Sequence, residues 1–496
     1  MILAWVLFGI YLLGTSYLGW LGHKKTQDFS SFAIGSGDLS PLQVGITLAA
    51  ATASAATFII NPGFVYVDGL AAFMHLGLSV YLGFVGMLLL LSFRFRKIGA
   101  KYKALTIPDW IGKRYGSKKF SLYFAFINLL SFAFIVLLVG GISIVMQKLL
   151  GLSNVSALIL TLVFVTGYVI YGGTYAHVYT NMFQGFLMMM ITIIIVGSGV
   201  YLMLSTPDFI GEIQAVNPSL LTMVNPESKL FNSVFSIYIS GFAIGAALVC
   251  QPHILTKALY VKTDREVSNY IAVFSGVFFL FILLLLAGFW AILTVPAEQL
   301  LDPQTGLFRQ DLVMTVYLQN AFPEWLFTVI SIVLLAAAMS TLDGLLVSIS
   351  TITANDLVLN LLERFGKTKL TADEKMKWAL KVSQWVLVLI AVLVFVVTLN
   401  PPKLLGVFGQ VGVYGLVLAA VPPLLAGIWF EKVSIRLVWT MSILALFIHF
   451  GLFTYGDELF SESELAFGNP GVTATISLFI TVFPTLVVHF LKKEKI

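Results

Sequence analysis

The 496-residue sequence is 59% hydrophobic and 11% charged, and its mean hydropathy is +0.96. Because soluble proteins carry about 25% charged residues, this composition excludes a soluble enzyme and predicts an all-α polytopic membrane protein. The single cysteine, Cys250, excludes an internal disulfide framework. The net charge of +5 is spread over short loops, a pattern that disfavours a nucleic-acid partner.

Thirteen apolar segments approach or exceed the ~20 residues that a membrane-spanning helix needs. They lie near 2–21, 41–61, 70–92, 120–149, 155–171, 178–205, 233–256, 268–295, 326–352, 378–399, 405–430, 437–455 and 470–491. The first segment lacks the cleavage site of a signal peptide, so we expect it to be retained as a span.

Lys and Arg are divided unevenly between the two sides that thirteen spans would create. One side receives 25 of the 29 basic residues, and the other receives Lys148, Lys229, Arg309 and Lys403. Basic loops stay in the cytoplasm, so the N-terminus is predicted outside a cell membrane and the C-terminus in the cytoplasm. The lipid bilayer is then a partner of the chain, and no partner protein is required.

The second and seventh spans have sequences typical of interrupted helices. Small and hydroxyl residues crowd positions 49–57, and the second span is predicted to stop at 61–63; the seventh contains Gly241 and Pro252. Interrupted segments at matching places in two halves of a chain are typical of transporter binding sites. The alternative is that these small residues only permit close helix packing.

A distance of five spans between the two interrupted segments predicts an inverted repeat of five plus five helices. The first repeat would occupy 41–232 and the second 233–436. One added helix and a cytoplasmic loop would fill 1–40, and two added helices and a short tail would fill 437–496.

Oxygen atoms in the second and ninth spans could form a cation site. On a helix, the Ala337 carbonyl lies one turn before the hydroxyls of Ser340 and Thr341, and a broken second span would free carbonyls near Ala50 and Ala53. Five neutral oxygens suit Na⁺, because Mg²⁺ and Ca²⁺ prefer carboxylates. The alternative is that both hydroxyls bond to the preceding turn of their own helix.

Asp343 is a carboxylate well inside the ninth span. Such a group is costly unless it is paired, hydrated or protonated, so it is a candidate cation ligand, gate residue or proton acceptor. A structural ion pair is the alternative. Thr180 and Asn181 open the sixth span as polar residues, whereas His177 is expected at the cytoplasmic edge in contact with solvent.

Motifs for nucleotide-driven or hydrolytic chemistry are missing from the sequence. It contains no P-loop, kinase motif set, HExxH or GxSxG. We therefore expect that the protein is not an enzyme and needs no cofactor, and that any uphill transport is driven by an ion gradient.

Several motifs resemble those of the sodium/solute symporter family, most closely its proline and pantothenate permease branch. They are R-F-R-K-I-G-A-K-Y-K-A-L-T-I-P-D-W-I-G-K-R-Y-G at 94–116, Y-G-G-T-Y-A-H-V-Y-T-N-M-F-Q at 171–184, Q-P-H-I-L-T-K at 251–257 and A-A-M-S-T-L at 337–342. The resemblance implies a LeuT-like inverted repeat, alternating access and Na⁺ as the coupling ion. It also implies that the sodium site uses Ala50, Ala53, Ala337, Ser340 and Thr341.

Two positions depart from the family pattern. Asn181 stands where many members have Asp, and Asp343 stands where members with a second sodium have a hydroxyl. The two residues are therefore a candidate second cation or proton site. A proton-coupled symporter that uses Asp343 is the alternative to sodium coupling.

The solute cavity is predicted between the two interrupted spans. Thr52 stands where proline permeases carry an acidic residue, so a different solute is expected. The cavity has few charges, so a charged solute would need freed backbone amides at a half-helix N-terminus, which favours a small organic acid or amino acid. The predicted lining is Thr52, Ser54, Ala56, Thr57, Ala247, Leu248 and Gln251. A membrane sensor on the same scaffold is disfavoured, because the tail after Phe490 is short.

Overall fold

The computed structural model describes residues 2–54, 56–301, 306–365, 371–400, 405–463 and 465–493. Apart from one isolated bridge between Leu301 and Phe308, the regular secondary structure of these residues is helical. The α-helices are α1 (Ile2–Lys25), α2 (Phe29–Ile34), α3 (Pro41–Thr52), α4 (Asn61–Phe73), α5 (Val80–Tyr102), α6 (Ile107–Tyr115), α7 (Lys118–Ile127), α8 (Ser131–Leu150), α9 (Asn154–Ser205), α10 (Phe209–Val216), α11 (Ser240–Leu248), α12 (Pro252–Leu255), α13 (Asp264–Ile282), α14 (Ala287–Thr294), α15 (Val313–Ala321), α16 (Glu324–Ile352), α17 (Leu359–Phe365), α18 (Ala372–Leu399), α19 (Leu405–Trp429), α20 (Ile435–Leu459) and α21 (Pro470–Lys493).

Helices long and apolar enough to cross a membrane number ten within these ranges, or eleven if the bent pair Phe235–Leu248 and Pro252–Tyr260 is one span. Large apolar side chains such as Leu13 and Phe447 are about three-quarters exposed on their outer faces, as expected of surfaces that meet lipid. The protein is therefore an all-helical, multi-pass membrane protein. The count of thirteen spans and the inverted repeat stay predictions.

Two continuous helical stretches are too long for a single crossing. Ala56–Tyr102 has 47 residues and Asn154–Ser205 has 52, which at 1.5 Å per residue corresponds to roughly 70 and 80 Å against a hydrocarbon core of about 30 Å. Each contains one glycine with non-helical backbone angles, Gly69 or Gly173, at which two helices join. Gly173 thus marks the turn between two helices of the longer stretch.

Gly173 is required where the chain passes close to α2. Its φ of 49° lies in the left-handed region, and a Cβ there would lie 2.5 Å from the Phe32 ring and 2.6 Å from the Phe32 carbonyl oxygen. Only glycine adopts this backbone geometry without strain and also leaves room for the neighbouring chain. The polar residues that follow Gly173 are thereby aimed into the protein.

The predicted interruption of the second span is confirmed, but it lies earlier than the predicted stop. Ser40 caps the start of α3 through a hydrogen bond with the Gln43 amide, α3 ends at Thr52, and helical structure resumes at Ala56. The stop predicted at 61–63 is wrong, because α4 begins at Asn61. Pro62 therefore lies inside a continuous helical stretch and does not end it.

The seventh span is bent by 65° between Leu248 and Pro252. Pro252 cannot donate the hydrogen bond that would continue α11, so a new short helix, α12, begins there in a different direction. The prediction that this span is interrupted is confirmed.

Helix α16 lies at the centre of the molecule. From Ile330 to Ile352 nearly every residue is buried, and the helix packs against α1, α3, α8 and α9. Polar side chains in this segment therefore cannot reach lipid or bulk water. Each must find its partner within α16 itself or on one of these neighbouring helices.

Candidate ion and solute site

Three of the five oxygens predicted to bind sodium come together where α3 meets α16. The Ser340 Oγ lies 2.9 Å from the Ala50 carbonyl oxygen and 2.7 Å from the Ala337 carbonyl oxygen. Ser340 and Ala50 are both fully buried. Separations near 3 Å between neutral oxygens allow them to share one small cation if the hydroxyl rotates.

The break in the second span leaves the Ala50 carbonyl without its usual helical partner. In a continuous helix this carbonyl would accept from the Ser54 amide four residues later. That amide instead bonds the Thr52 carbonyl oxygen at 3.0 Å. A buried carbonyl needs a partner, and the Ser340 hydroxyl supplies it from α16.

Thr341 and Ala53 are placed differently from the prediction. The Thr341 Oγ1 donates to the Ala51 carbonyl oxygen at 3.0 Å, so Ala51 is a contact that the sequence reasoning missed. Ala53 follows directly on α3, and its amide bonds the Ala49 carbonyl oxygen. Among the described hydrogen bonds, none joins the Ala53 carbonyl to Ser340 or Thr341.

Asn181 contacts the candidate ion site and not the carboxylate predicted beside it. Its Nδ2 donates to the Ser340 carbonyl oxygen at 2.6 Å, while its Oδ1 is buried without a hydrogen-bond partner. The described contacts place Asp343 in a separate group of side chains. Asn181 therefore fixes the backbone of α16 at the residue whose hydroxyl meets α3.

Asp343 is completely buried and lies within hydrogen-bond distance of three side chains on α9. Its carboxylate is 2.9 Å from His177 Nδ1 and 3.1 Å from both Tyr168 OH and Thr180 Oγ1, and the single Thr180 proton is shared with the closer Ala176 carbonyl oxygen at 2.9 Å. The placement of His177 at a solvated edge is wrong, since only 1% of its side chain is exposed. Gly344, the next residue, leaves room for the imidazole, because a Cβ there would lie 2.8 Å from His177 Cε1.

A small cavity of about 10 Å³ borders this group, at the lower limit for holding one water molecule. His177 and His253 both line it, and each has one buried ring nitrogen without a partner. Lys257 is also buried, donates to the His253 carbonyl oxygen at 2.7 Å, and interacts electrostatically with Asp343. The cavity is lined by Ala33, Leu105, Thr106, His177, His253, Thr256, Tyr260, Gly344, Val347, Ser348, Thr351 and Ile352.

The predicted solute residues of the second span lie at or beside its break. The Thr52 Oγ1 bonds back to the Leu48 carbonyl oxygen at 2.7 Å, and the Ser54 Oγ accepts from the Ala56 amide at 3.2 Å. Thr57 is half-buried. The hydroxyls of Thr52 and Ser54 therefore bond to the backbone beside the break and help to shape it.

The predicted solute residues of the seventh span lie at its bend, but they face different surroundings. Gln251 is buried, its Nε2 donates to the Leu248 carbonyl oxygen at 3.2 Å, and its Oε1 has no partner. Ala247 lines an apolar groove of about 680 Å³ with Phe242 and Phe479. A cavity shared with the second span stays a prediction.

Comparisons with known proteins agree on one family and one fold. Relatives include the sodium/pantothenate symporter of Haemophilus influenzae, 25% identical over 474 residues that cover 94% of this chain and 92% of that protein. The osmoregulated proline transporter OpuE of Bacillus subtilis is 27% identical over 413 residues, covering 79% and 77%.

The fold is similar to that of a Na⁺-coupled sialic acid symporter solved in a substrate-bound outward-open state. The TM-score is 0.73, the sequence identity is 16%, and the match covers 98% of both chains. The profile of the sodium:solute symporter family matches residues 32–436, which is most of the chain. This protein belongs to the sodium:solute symporter family.

Proposed function

We propose that this protein is a secondary active transporter in which Na⁺ moving down its gradient drives uptake of a small organic solute by alternating access. The contact of Ser340 on α16 with the freed Ala50 carbonyl on α3 is the observation that supports this most directly. Both groups are buried, neutral and oxygen-bearing, and together with the Ala337 carbonyl they suit a hard monovalent cation.

The proposed sodium site uses the carbonyls of Ala50, Ala53 and Ala337 and the hydroxyls of Ser340 and Thr341. When sodium binds, each hydroxyl turns a lone pair toward the ion and gives up its hydrogen bond to α3. Separate helices offer at most three of the five oxygens, so the complete site exists only while α3 and α16 are close. Sodium therefore stabilises that arrangement.

The energy available from one sodium ion is enough for useful accumulation. One charge that moves through 100 mV yields about 2.3 kcal/mol, roughly a fifty-fold solute gradient before the sodium gradient itself is added. Transport is inward because the membrane potential drives Na⁺ into the cell. The proposed topology places the N-terminus outside and the C-terminus in the cytoplasm. The two proposed repeats, 41–232 and 233–436, would alternately close the site on each side.

The proposed solute is a small organic acid or amino acid, bound near Thr52, Ser54, Thr57, Ala247, Leu248 and Gln251. The Gln251 Oε1, which is buried without a partner at the bend of the seventh span, leaves an acceptor for a solute N–H or O–H. The similar proteins are named for the solutes pantothenate, proline and sialic acid, and all three solutes have a carboxylate group.

The test is a thermal-unfolding screen of the purified protein with pantothenate, proline and sialic acid, each in NaCl and in choline chloride. A solute that stabilises the protein only in NaCl is then used for uptake into proteoliposomes. Uptake that requires an inward sodium gradient is the expected result. Uptake that persists in sodium-free buffer under an inward proton gradient would refute sodium coupling and favour Asp343 as a proton acceptor.

A further inference from the structure

Asp343 needs a positive or hydrogen-donating partner, because its carboxylate is fully buried in a membrane helix. A second coupling cation is one solution to that need, and donors of the protein itself are another. A carboxylate has about four lone-pair positions. His177 and Tyr168 already direct donors at Asp343, and the Thr180 hydroxyl, whose one proton also meets the Ala176 carbonyl oxygen, lies against it; all three are on α9.

Other ionisable groups of the protein also interact electrostatically with Asp343. Lys257 is buried and interacts electrostatically with both Asp343 and His177. His253, on the same short segment, interacts with Lys257 and His177. Among the described residues, Tyr11, Tyr168 and Tyr260 also interact electrostatically with Asp343. An added cation at Asp343 would therefore join a group that already contains the Lys257 amine and two imidazoles.

The imidazole of His177 is held in its place by the shape of α16. Gly344 follows Asp343 and has no Cβ, which would come within 2.8 Å of the ring. The ring can therefore lie flat against α16 with its Nδ1 at the carboxylate. His177 on α9 thus depends on two neighbouring residues of α16: Asp343 for its hydrogen bond and Gly344 for its space.

We propose that His177 occupies the position that a second coupling cation would take at Asp343, so that the protein binds one Na⁺ and not two. This inference rests on the proposed function, because it presupposes a sodium site at Ser340. It assigns His177 a role in setting the number of coupled ions. The side chain acts by occupying the carboxylate and does not itself contact the transported sodium.

The experiment measures equilibrium binding of ²²Na⁺ to the purified full-length protein in nanodiscs, in moles bound per mole of protein. The unaltered protein should bind one. His177→Ala opens a space beside Asp343 and removes its closest donor, so this variant should bind two. Adding Asp343→Asn to His177→Ala should return the number to one, because the new site then lacks its charge.

His253→Ala is the matched control. It removes a second buried imidazole from the same cavity wall without touching Asp343, so it should leave one sodium bound. Monodisperse elution and an unfolding transition within a few degrees of the parent's establish that each variant is folded. If His177→Ala fails that criterion, His177→Ser is measured in its place, and one sodium bound by that folded variant would likewise overturn the inference.

The possible results separate this inference from the proposed function. No sodium bound by the parent would refute sodium coupling, and the inference with it. Two bound by the parent, or one bound by a folded His177→Ala variant, would overturn the inference and leave sodium coupling intact. A second sodium that persists after Asp343→Asn is added would also overturn it, since the site would then lie elsewhere.

Discussion

Replacing Ser340 with alanine is expected to weaken sodium binding by a predictable amount. The substitution removes the oxygen that lies 2.9 Å from the Ala50 carbonyl and 2.7 Å from the Ala337 carbonyl. Hydrogen-bond-like contacts to charged groups contribute about 1.5–3 kcal/mol. At about 1.4 kcal/mol for each factor of ten, the half-saturating sodium concentration should rise roughly 10- to 150-fold.

The assay is a sodium titration of the thermal unfolding temperature of purified protein at constant ionic strength, with choline replacing Na⁺. A ligand that binds only the folded state raises stability in proportion to the logarithm of its concentration above Kd, so the curve reports sodium affinity directly. The substitution also leaves the buried Ala50 carbonyl without its donor. A loss of about 1–3 kcal/mol of stability in the absence of sodium should accompany the weaker binding.

Ser350→Ala is the matched control for this measurement. Ser350 lies on the same helix, is equally buried, and bonds the carbonyl three residues earlier, as Ser340 does. Its described hydrogen bond stays within α16, so its removal should leave the sodium titration unchanged. Equal half-saturating sodium concentrations for Ser340→Ala and the parent would refute the assignment of Ser340 to the ion site.

Two further predictions concern folding. Gly173→Ala should lower the unfolding temperature by several degrees, because it forces an alanine into a left-handed conformation against the Phe32 ring. The control is Gly197→Ala on the same helix, where a Cβ meets nothing within 4 Å; this substitution should be neutral or slightly stabilising. Partial burial raises the pKa of the Asp38 carboxyl, but hydrogen bonds from Lys25 and a tyrosine hydroxyl outweigh it and leave the pKa below its ordinary value. The ionised Asp38 carboxyl therefore stabilises the folded protein fully above its ordinary pKa of about 4, and this stabilisation is lost as the pH falls through the lowered pKa. The unfolding temperature, measured between about pH 6 and pH 3, should fall more in the parent than in Asp38→Asn.

The sequence is informative where a single helix explains a pattern. Hydroxyls at Ser340 and Thr341 in an apolar segment must find partners, and small residues after Ala49 weaken a helix, so both elements of the candidate ion site were predictable. The exact pairing was not. Whether Ser340 meets Ala50 and Thr341 meets Ala51 depends on the relative rotation of α3 and α16, and one sequence does not contain that quantity.

His177 shows why the rest of the site was missed. From the sequence, this histidine is expected at the cytoplasmic edge, in contact with solvent. The chain instead kinks only at Gly173, and α1 packs so closely over the following turn that a Cβ at Gly22 would lie 2.4 Å from the Ala176 amide nitrogen. A signal was available, since an intramembrane Asp343 requires a partner and His177 is one of few candidate donors in the polar face of the sixth span.

The single cysteine provides a test of the link between sodium and helix movement. Cys250 is fully buried at the bend of the seventh span, and the short helix α12 that follows it packs against α16. If sodium holds α16 against α3, it should also favour the arrangement in which Cys250 is buried. A membrane-permeant thiol reagent should then modify the native protein more slowly in NaCl than in choline chloride. Ser340→Ala should abolish that protection, whereas Ser350→Ala should retain it. Protection of the same size in all three proteins would mean that sodium acts on the bend without the hydroxyl that joins α16 to α3.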